Sequence, residues 1–287
     1  MKNIHVGFLL SYDYELLKLS IPPVYNAADK IFIAEDCNKR TWSGNVFDVD
    51  DSFYTWLKEF DVDNKIEFYR DNFYLPDLTA IQNDTRERHL LSLKMGIGNW
   101  LIQVDSDEYF IDFDGFVSNL RKYDHYLDDP EKKKVQFACF WLIIYKYTEE
   151  GILYVNKPMK SIFATNYPNY KCARRTNERT VYFDNLVLHE SIARTEEQLL
   201  FKLKNWGHNN EVDKNFLKKW KMVDETNYDQ FEDFYYIEPK RWKKLDYLPT
   251  RKIKDIKKII DAKSKLKVSN QYLMLKNFGQ WFKYLLK

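Results

Sequence analysis

The chain has 287 residues, of which 45% are hydrophobic and 31% are charged, and its net charge is +2. An aromatic content of 17% excludes a disordered chain and indicates one large globular domain, or a domain with an appendage. Three cysteines without a C-x-x-C spacing indicate neither a disulfide framework nor a zinc site, and the longest apolar run, around residues 137–145, is about half the length of a membrane span.

The N-terminal part of the chain alternates between strand-like and helix-like segments. Short apolar runs that end in polar residues are typical of buried strands. Three such runs occupy residues 6–10, 30–34 and 66–69. A helix-like segment follows the first run to about residue 28, and Thr79-x-x-Gln82 predicts the capped start of a helix that ends near two glycines. This alternation predicts an α/β fold.

The strongest signal is an apolar strand that changes abruptly into acidic residues. Residues 99–104 are nearly all apolar, and Asp105-Ser106-Asp107-Glu108 follows them directly. Further along the chain, runs rich in β-branched and aromatic residues predict a mixed or antiparallel part of the sheet. These runs occupy residues 135–145, 152–155 and 181–183. Beyond residue 195 the pattern is helical.

The C-terminal part of the chain differs in charge from the rest. From Lys240 to Lys287 there are 15 Lys and Arg against 3 Asp and Glu, a balance of +12, which leaves 30 against 40, or −10, before it. Apolar stripes at helical spacing, at 254–262 and 275–285, have lysines around them. We expect residues 251–287 either to contact an anionic membrane surface or to pack on the domain as a solvated helical cap.

Asp105 and Asp107 are placed to bind a ligand, because ligands of open α/β sheets bind beyond the carboxyl ends of the strands. Two carboxylates one residue apart can reach a single hard cation, and oxygen ligands favour Mg²⁺ or Mn²⁺. Such an ion would hold a diphosphate and neutralise its charge as it leaves. The other Asp-x-Asp sequences, at 48–50 and 61–63, are interpreted as solvated loops.

Residues 100–110 resemble the central motif of the GT-A-fold glycosyltransferases, especially family 2, where an apolar strand leads into an Asp-x-Asp-Glu or Asp-x-Asp-Asp turn. The resemblance implies a catalytic domain at 1–210 with a Rossmann-like mixed central sheet flanked by helices. Its nucleotide-sugar half would span about 1–110 and its acceptor half about 111–210. Residues 211–287 have no counterpart, and we interpret them as a basic, mostly helical C-terminal extension.

The resemblance also implies an activity and a donor site. The activity is transfer of a sugar, with inversion, from a nucleoside-diphosphate sugar, expected to be a UDP-sugar, to a glycan or lipid-linked acceptor. Asp36, at the end of the second strand, matches an Asp that contacts the nucleotide base, and Ser11 and Asp105 belong to the same nucleotide-sugar site. An Arg from the helix before the motif matches Arg86, with Arg88 as the alternative.

Several related transferases have a further metal ligand, a His near the end of the catalytic domain. His189 matches this ligand, and His208 is the alternative. Inverting transfer also needs a base that takes the proton from the acceptor hydroxyl. Asp184 and Glu190 are the candidates, and Glu149-Glu150 could reach the site from a loop.

Two other functions stay open at this point. A nucleotidyltransferase uses a metal and carboxylates on a related sheet, but it would show a Gly-rich, basic N-terminal loop, unlike residues 9–13. A nucleic-acid-binding module could use the lysine-rich tail, but it leaves the carboxylates after the strand unexplained, and we expect no nucleic acid partner. The N-terminal residues run directly into a strand pattern, so we expect a cytoplasmic enzyme, which the basic tail would place on the inner membrane face. Abundant Lys, Asn, Tyr and Phe suggest a low-GC bacterial source, so we expect surface polysaccharide synthesis as the setting.

Overall fold

The structure, a computed structural model, describes residues 2–205, 212–252, 255 and 266–285. His208 and nearly all of the helix predicted at 254–262 lie outside the described residues. Within the described ranges, no helix is both long enough and apolar enough to cross a membrane.

One mixed sheet of ten strands organises the described part of the chain. Its strands are β1 (Ile4–Leu10), β2 (Lys30–Asp36), β3 (Ile66–Asp71), β4 (Trp100–Val104), β5 (Glu108–Phe110), β6 (Val135–Tyr147), β7 (Ile152–Val155), β8 (Met159–Thr165), β9 (Arg179–His189) and β10 (Leu245–Leu248). The order is β10-β7-β6-β8-β4-β1-β2-β3, and β9 pairs with both β5 and β6. The four neighbouring strands β4, β1, β2 and β3 are mutually parallel, whereas β8 runs antiparallel to β4.

Helices flank this sheet and connect its strands. The α-helices are α1 (Leu17–Ser20), α2 (Pro22–Tyr25), α3 (Asp51–Phe60), α4 (Ala80–Met95), α5 (Phe113–Arg121), α6 (Glu196–Asn205), α7 (Phe216–Met222) and α8 (Asn270–Leu285). Single 3₁₀ turns span Tyr14–Leu16, Asp124–Leu127, Tyr228–Gln230 and Pro239–Arg241. The predicted fold class, a mixed central sheet flanked by helices, is confirmed.

Strands β1 and β4 are buried along their whole length, which explains their continuous apolar sequence. On one face α4 comes very close to β1, because Gly7 has no side chain there. A Cβ atom on Gly7 would meet the side chains of Leu91 and Met95 at 2.8 Å. The opposite face packs on α3 through Phe53 and Leu57. The absence of a side chain at Gly7 therefore sets the distance between the sheet and α4, the helix that lines the candidate active site.

Helix starts agree with local sequence signals. Thr79 and Gln82 form the predicted capping box at the start of α4. The sequence did not predict α3, whose N-cap is Asp50, with its carboxylate accepting a hydrogen bond from Ser52 N at 2.8 Å. Asp61 ends the same helix and accepts a hydrogen bond from Tyr25 Oη at 2.8 Å. Asp50 and Asp61 belong to the two other Asp-x-Asp sequences, for which the sequence predicts solvated loops. In the structure they stabilise a helix end and a turn.

Residues after 211 join the sheet and its core. β10 pairs antiparallel with β7, and α7 buries Phe216 and Trp220 against the cluster beside it. α8 lies along β9, where Asn277 Nδ2 donates to Tyr182 O at 3.1 Å and Tyr182 N donates to Asn277 Oδ1 at 2.8 Å. One side chain thus satisfies both backbone groups of an edge residue. The segment expected to be mostly helical also contributes a strand.

Candidate active site

A cavity of about 750 Å³ opens beyond the carboxyl ends of β1 and β4. The chain continues from β1 to β2 on one side and returns to β4 on the other, so this is the switch point at which open α/β sheets bind ligands. Residues from the N-terminal half and from the C-terminal half of the chain line this cavity. Its lining includes Ser11, Asp13, Trp42, Asp105, Asp107, His189, Lys202, Tyr235, Trp242 and Tyr272.

The side chain of Glu108 fixes the position of the acidic turn at the end of β4. This carboxylate is buried, and it accepts a hydrogen bond from Asp105 N at 2.9 Å and from Trp141 Nε1 at 2.8 Å. Arg174 binds it through both guanidinium nitrogens, at 2.7 and 2.5 Å, and also donates to Gln103 O at 2.9 Å. A bidentate pair of this kind fixes geometry as well as charge. Glu108 therefore positions the turn and leaves the aspartates to face the cavity.

Asp105 faces the cavity beside a buried arginine. Arg88 Nη1 lies 2.8 Å from Asp105 Oδ1, and Arg88 Nε donates to Asp84 Oδ1 at 2.5 Å. Arg174 Nη1 is 3.9 Å from the same Asp105 oxygen. Burial alone would raise the pKa of Asp105, but Arg88 and Arg174 outweigh burial and lower it. Asp105 is therefore an anion between two fixed cations.

Asp107 is buried and also meets two cations. Its Oδ2 lies 2.5 Å from Lys202 Nζ and 2.9 Å from Arg194 Nη2, and the same Arg194 nitrogen lies 3.0 Å from Asp13 Oδ2. Burial would raise the pKa of Asp107, but Lys202, His189 and Arg194 hold it well below its usual range. The carboxylate is therefore ionised near pH 7.

His189 lies opposite Asp107 because β5 and β9 pair with Glu108 and His189 in register. Its ring packs on Trp141 at a centroid distance of 4.5 Å. Burial lowers the pKa of His189 to about 4, in spite of the opposing effect of Asp107. The imidazole is therefore neutral near pH 7 and has a lone pair to offer to an electrophile.

A divalent cation fits between these two groups. Among the described residues, no three His, Cys, Asp or Glu side chains converge as a preformed cation site. However, Asp107 Oδ1 and His189 Nε2 lie 3.6 Å apart, so these are the two side chains that would hold a divalent cation. Magnesium-like ions commonly take one or two protein ligands and complete their shell with water and substrate phosphates. The donor set thus fits an ion that arrives with a phosphate ligand.

The predicted nucleotide residues divide into those inside and outside the cavity. Ser11 lines it, as does Asp36, whose Oδ1 accepts from Asn38 N at 2.9 Å and whose Oδ2 accepts from Phe73 N at 2.9 Å. Asp36 therefore also organises the loops after β2 and β3. Arg86 does not line this cavity and donates instead to Phe73 O at 2.9 Å. The alternative, Arg88, occupies the inner side of α4 and reaches Asp105.

Neither predicted base lines the cavity. Asp184 is exposed, in the part of β9 where the register with β6 shifts. Glu190 is buried and turned away from the cavity, because its Oε2 accepts a hydrogen bond from Tyr109 Oη at 2.6 Å. Burial raises its pKa. Glu149-Glu150 is exposed in the loop between β6 and β7 and does not line the cavity either.

Glu87 and Trp42 form the wall at the end of the cavity near β2. Trp42 Nε1 donates to Glu87 Oε2 at 2.6 Å, and the guanidinium of Arg88 lies 5.8 Å from the Trp42 ring centroid. Thr41 Oγ1 donates to Asn205 Oδ1 at 3.0 Å, which ties this loop to the end of α6. The loop after β2 therefore lines the cavity through Arg40, Thr41 and Trp42.

Replacing Glu87 with glutamine should change how stability depends on pH. Burial raises the pKa of Glu87 to about 8 from its ordinary 4.5. Its stabilising effect is therefore complete below pH 4.5 and is lost as the pH rises through about 8. Relative to wild type, Glu87→Gln should gain a few kcal/mol of unfolding free energy across that window, measured by urea denaturation. The exposed Glu59→Gln is the control, and a curve parallel to wild type would contradict the assignment.

The sequence does not predict that three cationic side chains belong to the site: Arg174, Arg194 and Lys202. They come from the loop before β9, the turn after β9 and helix α6. Arg194 had a weak signal, because it follows His189-Glu190-Ser191 at a strand end. Lys202 had none that separates it from the other lysines of α6.

Comparisons with known proteins give only remote likenesses. No family model matches the chain, and no curated protein matches it. S. aureus TarS (residues 1–349) aligns with a TM-score of 0.30 and 13% identity over 50% of this chain and 36% of that one. Mannose-6-phosphate isomerase from Helicobacter pylori aligns with a TM-score of 0.31 and 13% identity over 71% of this chain and 66% of that one. The chain thus spans about a third of TarS, and likenesses at this level carry no argument about function.

Proposed function

We propose that this chain is a glycosyltransferase that moves a sugar from a nucleoside-diphosphate sugar to a glycan or lipid-linked acceptor. The observation that supports it most is the acidic turn Asp105-Ser106-Asp107 at the switch-point cavity, with His189 facing Asp107 at 3.6 Å. A volume of about 750 Å³ is in the usual range for a small-molecule site and suits a donor of this size.

The charges around the turn suit a diphosphate. Arg88, Arg174, Arg194 and Lys202 surround Asp105 and Asp107 within 4 Å. Fixed cations in a site closed to water stabilise the negative charge that develops on a leaving phosphate oxygen. In the proposed reaction the bond from the anomeric carbon to this oxygen breaks as the acceptor hydroxyl attacks. The cations are then partners of the leaving nucleoside diphosphate.

A bound Mn²⁺ or Mg²⁺ would be held by Asp107 and His189 and would supply Lewis-acid neutralisation of the diphosphate. The neutral state of His189 makes its Nε2 a ligand near pH 7. Asp105, which has Arg88 on one oxygen, would act on the nucleotide sugar rather than on the ion. We propose UDP as the nucleotide, and we propose surface polysaccharide synthesis as the setting because the sequence is rich in Lys, Asn, Tyr and Phe.

The acceptor side of the cavity is aromatic. Tyr235, Tyr236 and Trp242 line it, and Arg241 and Tyr272 also line the cavity. Tyr235 packs on Trp242 at a centroid distance of 4.7 Å, which makes a rigid surface. Aromatic rings cover the apolar faces of sugars and leave hydroxyl groups to polar neighbours. We assign this wall to the acceptor.

The proposal is tested by offering the full chain a panel of nucleoside-diphosphate sugars with Mn²⁺ or Mg²⁺. The readout is release of the nucleoside diphosphate, with and without glycan and lipid-linked acceptors. Release from at least one donor that stops when the ion is chelated supports the proposal. Binding of oligonucleotides together with inertness toward every donor would instead support the nucleic-acid alternative.

Replacing Lys202 with methionine should weaken donor binding more than turnover. Lys202 Nζ is 2.5 Å from Asp107 and is the α6 cation that lines the cavity. Loss of one phosphate partner predicts a rise of about tenfold in KM for the donor, from steady-state kinetics. Lys204→Met, an exposed position on the same helix, is the matched control and should keep the wild-type KM. Equal KM values for both variants would remove Lys202 from the donor site.

A further inference from the structure

Helix α8 (Asn270–Leu285) has an inward face that is polar where it meets the sheet. Asn277 pairs with the backbone of Tyr182, and Gln280 Oε1 accepts a hydrogen bond from Thr180 N at 3.4 Å. Leu273 packs on the cluster that contains Tyr182 and Phe140. These contacts fix the rotation of the helix about its axis.

The opposite face of α8 is apolar and exposed. Its residues are Met274, Leu275, Phe278 and Phe282, which are 65%, 59%, 61% and 52% exposed. At 100° per residue they fall within an arc of about 100°, whose centre lies about 140° from the mean direction of the inward residues Leu273, Asn277 and Gln280. Phe278 and Phe282 touch each other edge to face at a centroid distance of 4.9 Å. A contiguous apolar stripe of this kind marks an interaction surface.

The charge of the surrounding sequence selects the partner. Residues 251–287 contain 11 Lys and Arg and 2 Asp and Glu, a balance of +9, and α8 itself contains no acidic residue. An apolar helical stripe in a strongly basic segment is the pattern of helices that lie in the interface of an anionic bilayer. A second copy of this chain would bring the same positive charge to the contact and would be repelled.

We propose that the outward face of α8, formed by Met274, Leu275, Phe278 and Phe282, docks on the surface of an anionic lipid bilayer. The apolar side chains would enter the boundary between headgroups and acyl chains, and the net positive charge of the 251–287 sequence would attract the anionic headgroups. The helix would lie parallel to the membrane plane, with β9 and the sheet above it.

Docking in this orientation also bears on the reaction, and this step rests on the proposed function. Tyr272, one residue before Leu273 on the same helix, lines the cavity and packs on Phe140 at a centroid distance of 6.1 Å. The docking helix therefore contributes one residue to the lining of the cavity. A lipid-linked acceptor could keep its lipid in the bilayer while its head group enters the cavity.

The test is co-sedimentation of the full chain with vesicles of phosphatidylcholine containing phosphatidylglycerol, beside vesicles of phosphatidylcholine alone. The wild type should bind the anionic vesicles and be released at about 1 M salt, where the Debye length is about 3 Å. Phe278→Ser with Phe282→Ser should weaken binding by about tenfold or more, because binding scales with the apolar area buried. Val62→Ser with Leu93→Ser, two exposed apolar positions on other elements, should bind as the wild type does.

Three results would overturn the docking proposal. The first is a wild type that does not bind anionic vesicles, and the second is a Phe278→Ser, Phe282→Ser variant that binds as well as wild type. The third is a wild-type dimer in light scattering that this variant converts to a monomer, which would assign the face to a second copy. The melting temperature, and donor turnover with a soluble acceptor, should be unchanged in the variant. Vesicle binding without any transfer activity would retain the docking surface and reject only the proposed function.

Discussion

Replacing Asp107 with asparagine should lower kcat/KM for the nucleotide-sugar donor by at least about 100-fold. Asp107 contacts Arg194 and Lys202 and also faces His189. An amide of the same shape keeps the volume but removes the negative charge that all three groups meet. The variant should also need a higher concentration of Mn²⁺ for half-maximal activity, because one ligand is lost. Steady-state kinetics over a Mn²⁺ titration measures both effects.

The chain provides a matched control for this substitution in its own sequence. Asp50→Asn alters the Asp-x-Asp at 48–50 but keeps a good N-cap residue on α3, so activity and stability should both stay near wild type. Urea denaturation should accompany the kinetics, since asparagine at 107 leaves Lys202 less well paired. A folded Asp107→Asn variant with kcat/KM within threefold of wild type would remove the acidic turn from the chemistry.

The parallel half of the sheet could be predicted because its signals are local. β1, β2 and β4 are buried on both faces, so each is a continuous apolar run that ends in polar residues. The start of α4 was predicted for the same reason, since a capping box needs only residues three apart in sequence. Strand β8 was missed, because its first residues are exposed or half-buried and its pattern is not continuous. Local patterns are therefore sufficient to place the aspartates at a strand end, even though they do not predict the full topology of the sheet.

Local sequence signals do not decide which arginine, Arg86 or Arg88, faces the nucleotide site. Positions two apart on a helix differ by about 200°, so one of the two must face away from the sheet. Hydrophobic periodicity usually decides the phase, but the buried face of α4 includes Asn83, Asp84 and Glu87 as well as Arg88. A polar buried face gives no apolar stripe. The inward position of Arg88 depends on packing against β1 and β4, which the sequence of the helix does not encode alone.

The cations and bases of the site depend on pairings that are distant in sequence. Lys202 meets Asp107 across 95 residues and Arg174 meets Glu108 across 66. Glu190 is adjacent in sequence to His189, yet successive side chains point to opposite sides at a strand end. Its carboxylate therefore meets Tyr109, while the His189 ring lies beside Asp107. Spacing alone suggested Glu190 as a base, and only the register of β9 decides its direction.

Replacing Arg174 with methionine should lower the free energy of unfolding by about 3–5 kcal/mol, the usual cost of removing one partner from a buried ion pair. Glu108 is fully buried, and without Arg174 its charge would keep only the hydrogen bonds from Asp105 N and Trp141 Nε1. The Arg174 guanidinium also packs on the ring of Phe163 at 4.5 Å, and methionine retains part of that contact. Urea denaturation of the two proteins measures the difference. Arg175→Met, the exposed neighbour, should change stability by less than about 0.5 kcal/mol.

The double variant Glu108→Gln, Arg174→Met separates the loss of pairing from the loss of packing. Each single substitution leaves one buried charge without its partner, whereas the double substitution leaves none, so it should cost less than the sum of the singles. Stability should recover in part, but activity should not, because Arg174 also lies 3.9 Å from Asp105 at the proposed diphosphate site. If the two single costs simply add, Glu108 and Arg174 act independently, and the acidic turn is held by its hydrogen bonds alone. A non-additive loss of stability together with a persistent loss of donor turnover would assign Arg174 two roles, one in positioning the turn and one in the charge around it.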